Sequence, residues 1–161
     1  KNKIGLLKIF YHLQKKIKFK NYKLIMIGDE LSDELSEFIE QNNLNKSVIN
    51  ISNEISAKKL CAFYNMADSL IFPSIQEGFG WPIIEAQACG CPVFTTNKPP
   101  MNIIGGKGAT YINPSNPIKA AETIHMNMPY SIKKVNYSIN NVRNYSIEKM
   151  RLEYNNFFQS L

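Results

Sequence analysis

Arginine, histidine, tryptophan and cysteine are all scarce in this chain of 161 residues, and each scarcity removes a class of function. Arg143 and Arg151 are the only arginines, although the formal net charge is +6. Nucleic-acid readers lean on arginine and on interleaved aromatics, and no such module appears, so no nucleic-acid partner is expected. His12 and His125 stand apart from each other and from any acid or cysteine cluster of ligand spacing, which argues against a metal site. The three cysteines, Cys61, Cys89 and Cys91, are odd in number and lack Cys-x-x-Cys spacing. That disfavours a disulfide framework and a zinc site, and a reducing cytoplasm is the expected compartment. No apolar run approaches the ~20 residues of a membrane span. There is no signal-peptide pattern either, and because Lys1 rather than Met opens the sequence, the chain reads as a segment of a longer protein.

What is present suits one soluble domain. Apolar residues make up 44% of the chain with no long Gly/Ser-rich or Pro-rich stretch, which allows a real core but not two full α/β domains. The spacing of Leu6, Ile9 or Phe10, Leu13 and Ile17 predicts a first helix over residues 4–19, closed by the basic run Lys15 to Lys20. That run is read as a solvated helix end, where cations suit the dipole; contact with an anionic membrane surface is the less favoured alternative. Apolar runs "YKLIMIGD", "SVINIS", "DSLIFPS", "CPVFTTN" and "ATYINP" predict five strands. Between them fall an acidic helix in "LSDELSEFIEQNNL", a helix in "SAKKLCAFYNMA" capped by Ser56, and one in "PIIEAQACG" ended by Gly90. Asn116 and Pro117 start another, and a helical remainder carries a stripe of Ile147, Met150, Tyr154, Phe157 and Leu161. Strands that alternate with helices and are apolar throughout require a parallel sheet covered on both faces, a Rossmann-like α/β fold of three layers.

The informative stretch is "EGFGWPIIE", residues 77–85, which sets two glutamates eight positions apart around a glycine turn and a proline. In parallel sheets ligands bind beyond the carboxyl ends of strands, and "IFPSIQEGFGWP" leaves one such end. With Pro82 at or near the first helical position, the N–H groups around Gly78, Phe79, Gly80 and Trp81 stay free to meet a diphosphate. Glu85, one turn into the helix, suits a ribose diol, and Glu77 at the loop entry suits another sugar's hydroxyls. The plainer alternative is that both acids are simply favoured near a positive helix end. Trp81 is read as packing beside Pro82. Phe79 either plugs the loop or meets a ligand, Asp29 is read as an N-cap, and Cys89 and Cys91 are read as small buried side chains.

The segment "YNMADSLIFPSIQEGFGWPIIEAQACGCPVFTTN", with its Glu-x7-Glu pair, resembles the retaining GT-B glycosyltransferases of the group 1, or GT4, family. "KNKIGLLKIFYHLQK", "YKLIMIGD", "SVINISNEISAKKLCAFY", "GATYINP" and "NYSIEKMRLEYNNF" fall in the order that family shows, so the likeness spans nearly the whole chain. It implies a C-terminal, donor-binding half of a GT-B fold over residues 1–161. The substrate implied is a nucleotide diphosphate sugar, with no metal and no separate cofactor. By position, Glu77 is implied to contact the donor sugar and Glu85 the ribose. The backbone of Gly78, Phe79 and Gly80 is implied to lie near sugar and phosphate, and Lys1 to face the diphosphate. Cell-envelope polysaccharide or lipid-linked glycan synthesis is the setting the family implies; with the cytoplasm expected from the cysteines, the inner face of the membrane is the alternative place within it.

The sequence departs from that pattern in four places. The family's first C-domain strand and the arginine before the matched lysine are absent ahead of Lys1. So is the N-terminal acceptor domain, and the chain alone is therefore expected to be inactive. In "PPMNIIGGKG", read as a loop, Ile103 stands where a glutamate is common, and Asn53 stands where glycine is usual and φ > 0 is tolerated. Two alternatives stay open beside the transferase: a non-catalytic nucleotide-binding or scaffold module, and a nucleotide-sugar epimerase of similar fold.

Overall fold

The computed structural model describes residues 1–159, without the side chains of Met150, Glu153, Tyr154, Phe157 and Gln159. Five strands form where apolar runs predict them: β1 (Leu24–Ile27), β2 (Val48–Ile51), β3 (Leu70–Phe72), β4 (Val93–Thr96) and β5 (Ala109–Ile112). All pairings are parallel. The helices are α1 (Lys3–Gln14), α2 (Asp33–Gln41), α3 (Ala57–Met66), α4 (Trp81–Ala88), α5 (Met101–Gly105), α6 (Pro117–Met126), α7 (Ile132–Val142) and α8 (Ile147–Gln159).

The strands do not join into one sheet. β1 pairs with β2, and β3–β4–β5 forms a second sheet. Leu24 and Gly28 send their N–H groups to Ser47 and Ile51 on the β2 side, so Ile25 and Ile27 direct theirs away from it. Leu70 likewise donates to Pro92, which turns the Ile71 N–H the other way. The division leaves two strand edges unpaired toward the sheet interior, that of β1 away from β2 and that of β3 away from β4, among the described residues.

Helices cover both faces. On one, Ile9 and Leu13 of α1 meet Phe94, Ile112 and Ile124, while Leu7 and Phe10 meet Met26, Leu35 and Ile39. On the other, Ile83, Ile84 and Ala86 of α4 pack with Val93, Met101 and Ile104. β4 is therefore buried on both faces, as its sequence VFTT allows once Thr95 Oγ1 donates to the Phe72 carbonyl (2.8 Å). Gln87, fully buried, donates to the Gly105 carbonyl (2.8 Å) and accepts from Asn141 Nδ2 (2.7 Å), tying α4 to α5 and α7. α3 contributes no buried residue at all.

Local signals held at Ser56 and Asn116, whose side chains accept from Lys59 N–H and Lys119 N–H, and at Gly90, which takes φ +70° after α4. Several expectations are corrected. α1 stops at Gln14, because its side chain turns to donate to the Phe19 and Tyr22 carbonyls and folds the chain back; Ile17 is left 94% exposed. Asp29 is not an N-cap: Ser32 occupies that place before α2, and Asp29 instead meets Lys3 Nζ at 3.9 Å. Asn53 does not take a positive φ; among the described non-glycine residues Asn43 does. The segment expected as a loop around Ile103 contains α5, and the C-terminal remainder is two helices broken near Tyr145. Ile147 is exposed, and the other stripe residues, Met150, Tyr154, Phe157 and Leu161, lie outside the described side chains. Among the described residues no helix is long and apolar enough to cross a membrane.

Candidate functional site

β3 leads directly into the segment that carries both acids. Pro73 and Ser74 are buried as the chain leaves the strand, and Ser74 Oγ donates to Glu77 Oε1 at 2.8 Å. The same hydroxyl lies 3.2 Å from the Gln76 carbonyl oxygen. Ser74 is 1% exposed, so this contact fixes half-buried Glu77 from below. Gly78 is exposed; a Cβ added there would meet nothing within 4 Å and φ is not positive. Neither packing nor backbone conformation requires glycine at that position.

Gly80 differs, because it N-caps α4 at φ +105°, where an L side chain is strained. Pro82 lies in the first turn of α4, as expected. The first N–H groups of a helix have no intrahelical acceptor. Among the described residues no backbone carbonyl takes the N–H of Gly78, Phe79, Gly80 or Trp81. Phe79 closes the turn against the domain, packed on the α4 core with its ring 5.9 Å from Tyr145, edge to face. Trp81 is not packed away beside Pro82 as expected. It is 62% exposed and lies on Phe79, ring centroids 4.6 Å apart, because the first helical residue projects outward from the domain.

Glu85 is half-buried one turn into α4, and Tyr64 Oη of α3 donates to its Oε2 at 3.1 Å. Burial, then the Glu85 charge and the hydrogen bond to it, push the Tyr64 hydroxyl well above its ordinary value. It therefore stays a neutral donor, and the carboxylate keeps an anchored geometry. Between the two unpaired strand edges lies a cavity of about 310 Å³. Leu6 of α1, Ile25 and Ile27 of β1, Phe63 of α3 and Ile71 of β3 give it apolar walls. Lys1, Tyr64, Ser74 and Glu85 line the same space.

The structure thus brings Lys1 and Glu85 to one cavity. Glu77 joins it only through Ser74, while Gly78, Phe79 and Gly80 form the adjoining turn outside its lining. Lys1 also borders a second hollow, of about 430 Å³, with Ile75 and Gln76 from that turn. Tyr64 and Ser74 escaped the sequence reading. Nothing local marks Tyr64 as a partner of an acid 21 residues later, although Ser74, three before Glu77 in a turn, has the spacing of a local side-chain contact. Among the described residues no three His, Cys, Asp or Glu side chains gather where they could hold a metal ion.

The family model for "Glycosyl transferases group 1" matches residues 1–141. The chain belongs to the group 1 glycosyltransferases. A relative of this family member is the O-antigen chain mannosyltransferase RfbU of Salmonella typhimurium, 33% identical over 102 residues. That match covers 62% of this chain and 29% of the relative, so the chain spans under a third of the curated relative's length. Among solved structures, the C-terminal domain of the group 1 family protein LpcC from Francisella tularensis superposes with a TM-score of 0.74 at 21% identity. The match covers 89% of this chain and 78% of that one. The pneumococcal O-GlcNAc transferase GtfA, solved in complex with UDP and GlcNAc, matches 99% of this chain and 33% of its own, with a TM-score of 0.78 at 15% identity. The fold of this group 1 glycosyltransferase chain is that of the C-terminal half of a GT-B enzyme.

Proposed function

We propose that this chain is the donor-binding half of a retaining GT4 glycosyltransferase that moves a sugar from a nucleotide diphosphate sugar to an acceptor. The observation that carries the reading is the placement of Lys1 and Glu85 on one cavity, beside a helix start with free N–H groups. Glu85, held by Tyr64, accepts from the two hydroxyls of a ribose, and Lys1 faces the diphosphate. Gly78 lets backbone approach the phosphate closely, and Glu77 accepts from hydroxyls of the donor sugar. As the bond from the anomeric carbon to the diphosphate oxygen breaks, negative charge grows on the leaving group. The helix N–H groups and Lys1 stabilise that charge without rearranging, and loss of one such donor costs on the order of 2.7–4 kcal/mol in comparable sites. No separate cofactor and no metal enters this scheme.

The scheme also needs an extended segment ahead of Lys1. A strand placed there, leading into α1 and lying parallel between β1 and β3, would pair Ile25, Ile27 and Ile71 and join the two sheets. It would also give α3 an apolar surface to bury against. Acceptor recognition then belongs to an N-terminal domain, so nucleotide binding rather than turnover is the measurable property of this chain alone. The setting proposed with it is cell-envelope polysaccharide synthesis on the cytoplasmic side; the O-antigen chain mannosyltransferase among its relatives supports the polysaccharide part of that reading.

The test is a calorimetric titration of the folded chain with UDP, GDP and ADP, repeated with Glu85→Ala. Binding of one nucleotide that disappears in the variant supports donor binding and names the base. If the chain shows no binding, the same titration is made on a longer chain that includes the preceding segment. Failure there too would leave a non-catalytic module, a reading favoured only by Ile103, which is 64% exposed where the family commonly has an acid.

A further inference from the structure

The strongest feature outside the proposed donor site is a pair of sulfurs. Cys61 Sγ and Cys89 Sγ lie 3.6 Å apart, although 28 positions separate them in sequence. Cys61 is on the exposed side of α3, one turn before Tyr64, and Cys89 caps the C-terminus of α4, one turn after Glu85. The two helices therefore meet on successive rungs, thiol to thiol and then hydroxyl to carboxylate. A disulfide bond is ~2.05 Å long, so the sulfurs need to approach by only about 1.5 Å.

We propose that Cys61 and Cys89 form an oxidative modification site, a dithiol that peroxide converts to a disulfide clamping α3 onto α4.

The partners divide the chemistry. Cys61 is open to solvent, and Asn65, anchored to the Cys61 carbonyl at 2.9 Å, sets its amide nitrogen 3.3 Å from the Cys61 sulfur. Cys89 is half-buried; burial and then the neighbouring Cys61 push its thiol up to about 11. Cys61 is the first to react. Its thiolate attacks one peroxide oxygen, the O–O bond breaks, and Cys61 sulfenic acid forms as hydroxide leaves and takes up a proton to become water. Cys89 sulfur then attacks the sulfenic sulfur, the S–O bond breaks, and the departing oxygen leaves as water with the Cys89 proton. Two thiols and one hydrogen peroxide thus give one disulfide and two waters, each sulfur losing one electron to the peroxide oxygens. A dithiol reductant reverses the step by exchange. The third cysteine stands aside: Cys91 is 3% exposed, and its sulfur faces the Ala67 and Pro92 carbonyls.

The clamp matters because α3 is otherwise loosely held. It buries no residue and roofs the cavity between the strand edges. A covalent link at Cys61 removes the openings in which α3 lifts away from α4.

The experiment exposes the folded chain to a slight excess of hydrogen peroxide, then uses intact-mass and peptide-mapping spectrometry with hydrogen exchange over α3. The expected result is loss of two hydrogen atoms, a Cys61–Cys89 linked peptide, reversal by dithiothreitol, and exchange in α3 slowed by about tenfold. Cys61→Ser and Cys89→Ser should each abolish the link, and Cys91→Ser should leave it intact. Sulfinic acid at Cys61 with Cys89 still free, a Cys89–Cys91 link, or dimers joined through Cys61 would each overturn the proposal. Nucleotide binding plays no part in these readouts, so the proposal stands or falls apart from the donor-site reading.

Discussion

Tyr64 on α3 donates its hydroxyl to the Glu85 carboxylate on α4 across 3.1 Å, and both side chains are half-buried. The contact fixes a carboxylate that helix geometry alone would leave free to rotate. If Glu85 receives a ribose, one of its oxygens is already oriented before the ligand arrives.

Tyr64→Phe keeps the ring and removes only that donor. A hydrogen bond contributes about 0.5–1.5 kcal/mol net, so nucleotide affinity should weaken by about fivefold while the thermal midpoint falls by a few degrees. Glu85→Ala should weaken binding well beyond that. Calorimetry on both variants checks the order; equal affinity in Tyr64→Phe and the parent chain would reduce Tyr64 to a packing residue.

Two half-buried tyrosines contribute to alkaline stability, beside other tyrosines and the Cys89 and Cys91 thiols, which burial also pushes up. Tyr64 is held well above the ordinary value of 10.0, by burial first and then by Glu85, and burial pushes Tyr130 up to about 12. A tyrosine whose folded value lies above its unfolded one favours the folded state least once the unfolded chain can ionise. The stabilising contribution is therefore present below pH ~10 and fades as pH rises from there toward about 12. Chemical denaturation at pH 9 and pH 11 should show stability falling in the parent chain. The fall should be smaller in Tyr130→Phe, which has no phenol at that position to ionise.

Two glycines of one turn should respond in opposite ways. Gly80 sits at φ +105°, so Gly80→Ala should cost roughly 1–2 kcal/mol of stability. Gly78 has open space where a Cβ would go, and Gly78→Ala should leave stability within about 0.5 kcal/mol. If that space admits a phosphate, Gly78→Ala should nevertheless weaken nucleotide binding by about tenfold or more, since a methyl group would stand between ligand and backbone. Unchanged affinity would remove Gly78 from the site.

The order of elements was legible because apolar runs such as "LIMI" and "VFTT" sit between helices with clear caps at Ser56 and Asn116. What escaped depended on distance. Spacing put Ile17 on the first helix, yet the Gln14 side chain captured two carbonyls beyond it and ended that helix early. α5 has five residues, too few for periodicity to register against the prolines before it. Glu77 and Glu85 stood out through their turn chemistry, whereas Tyr64, Ser74 and the Cys61–Cys89 approach arise only when α3 and the end of β3 are brought beside α4. The division of the sheet was equally out of reach, since no apolar run states which neighbour it will pair with.

That division gives the most direct test of the strand proposed ahead of Lys1. In the chain as it stands, the N–H groups of Ile25, Ile27 and Ile71 point into the cavity, while those of Leu24, Gly28 and Leu70 are bonded to carbonyls on or beside the neighbouring strands. Amide hydrogen exchange should therefore alternate along β1 and β3, with the cavity-facing amides fast and the paired ones slow. Adding the preceding segment should slow the three fast amides by about a hundredfold or more and protect α3 as well, because each amide then opens only with a larger unit. If β1 and β3 keep their alternating exchange in the longer chain, the segment docks elsewhere and the cavity belongs to another ligand.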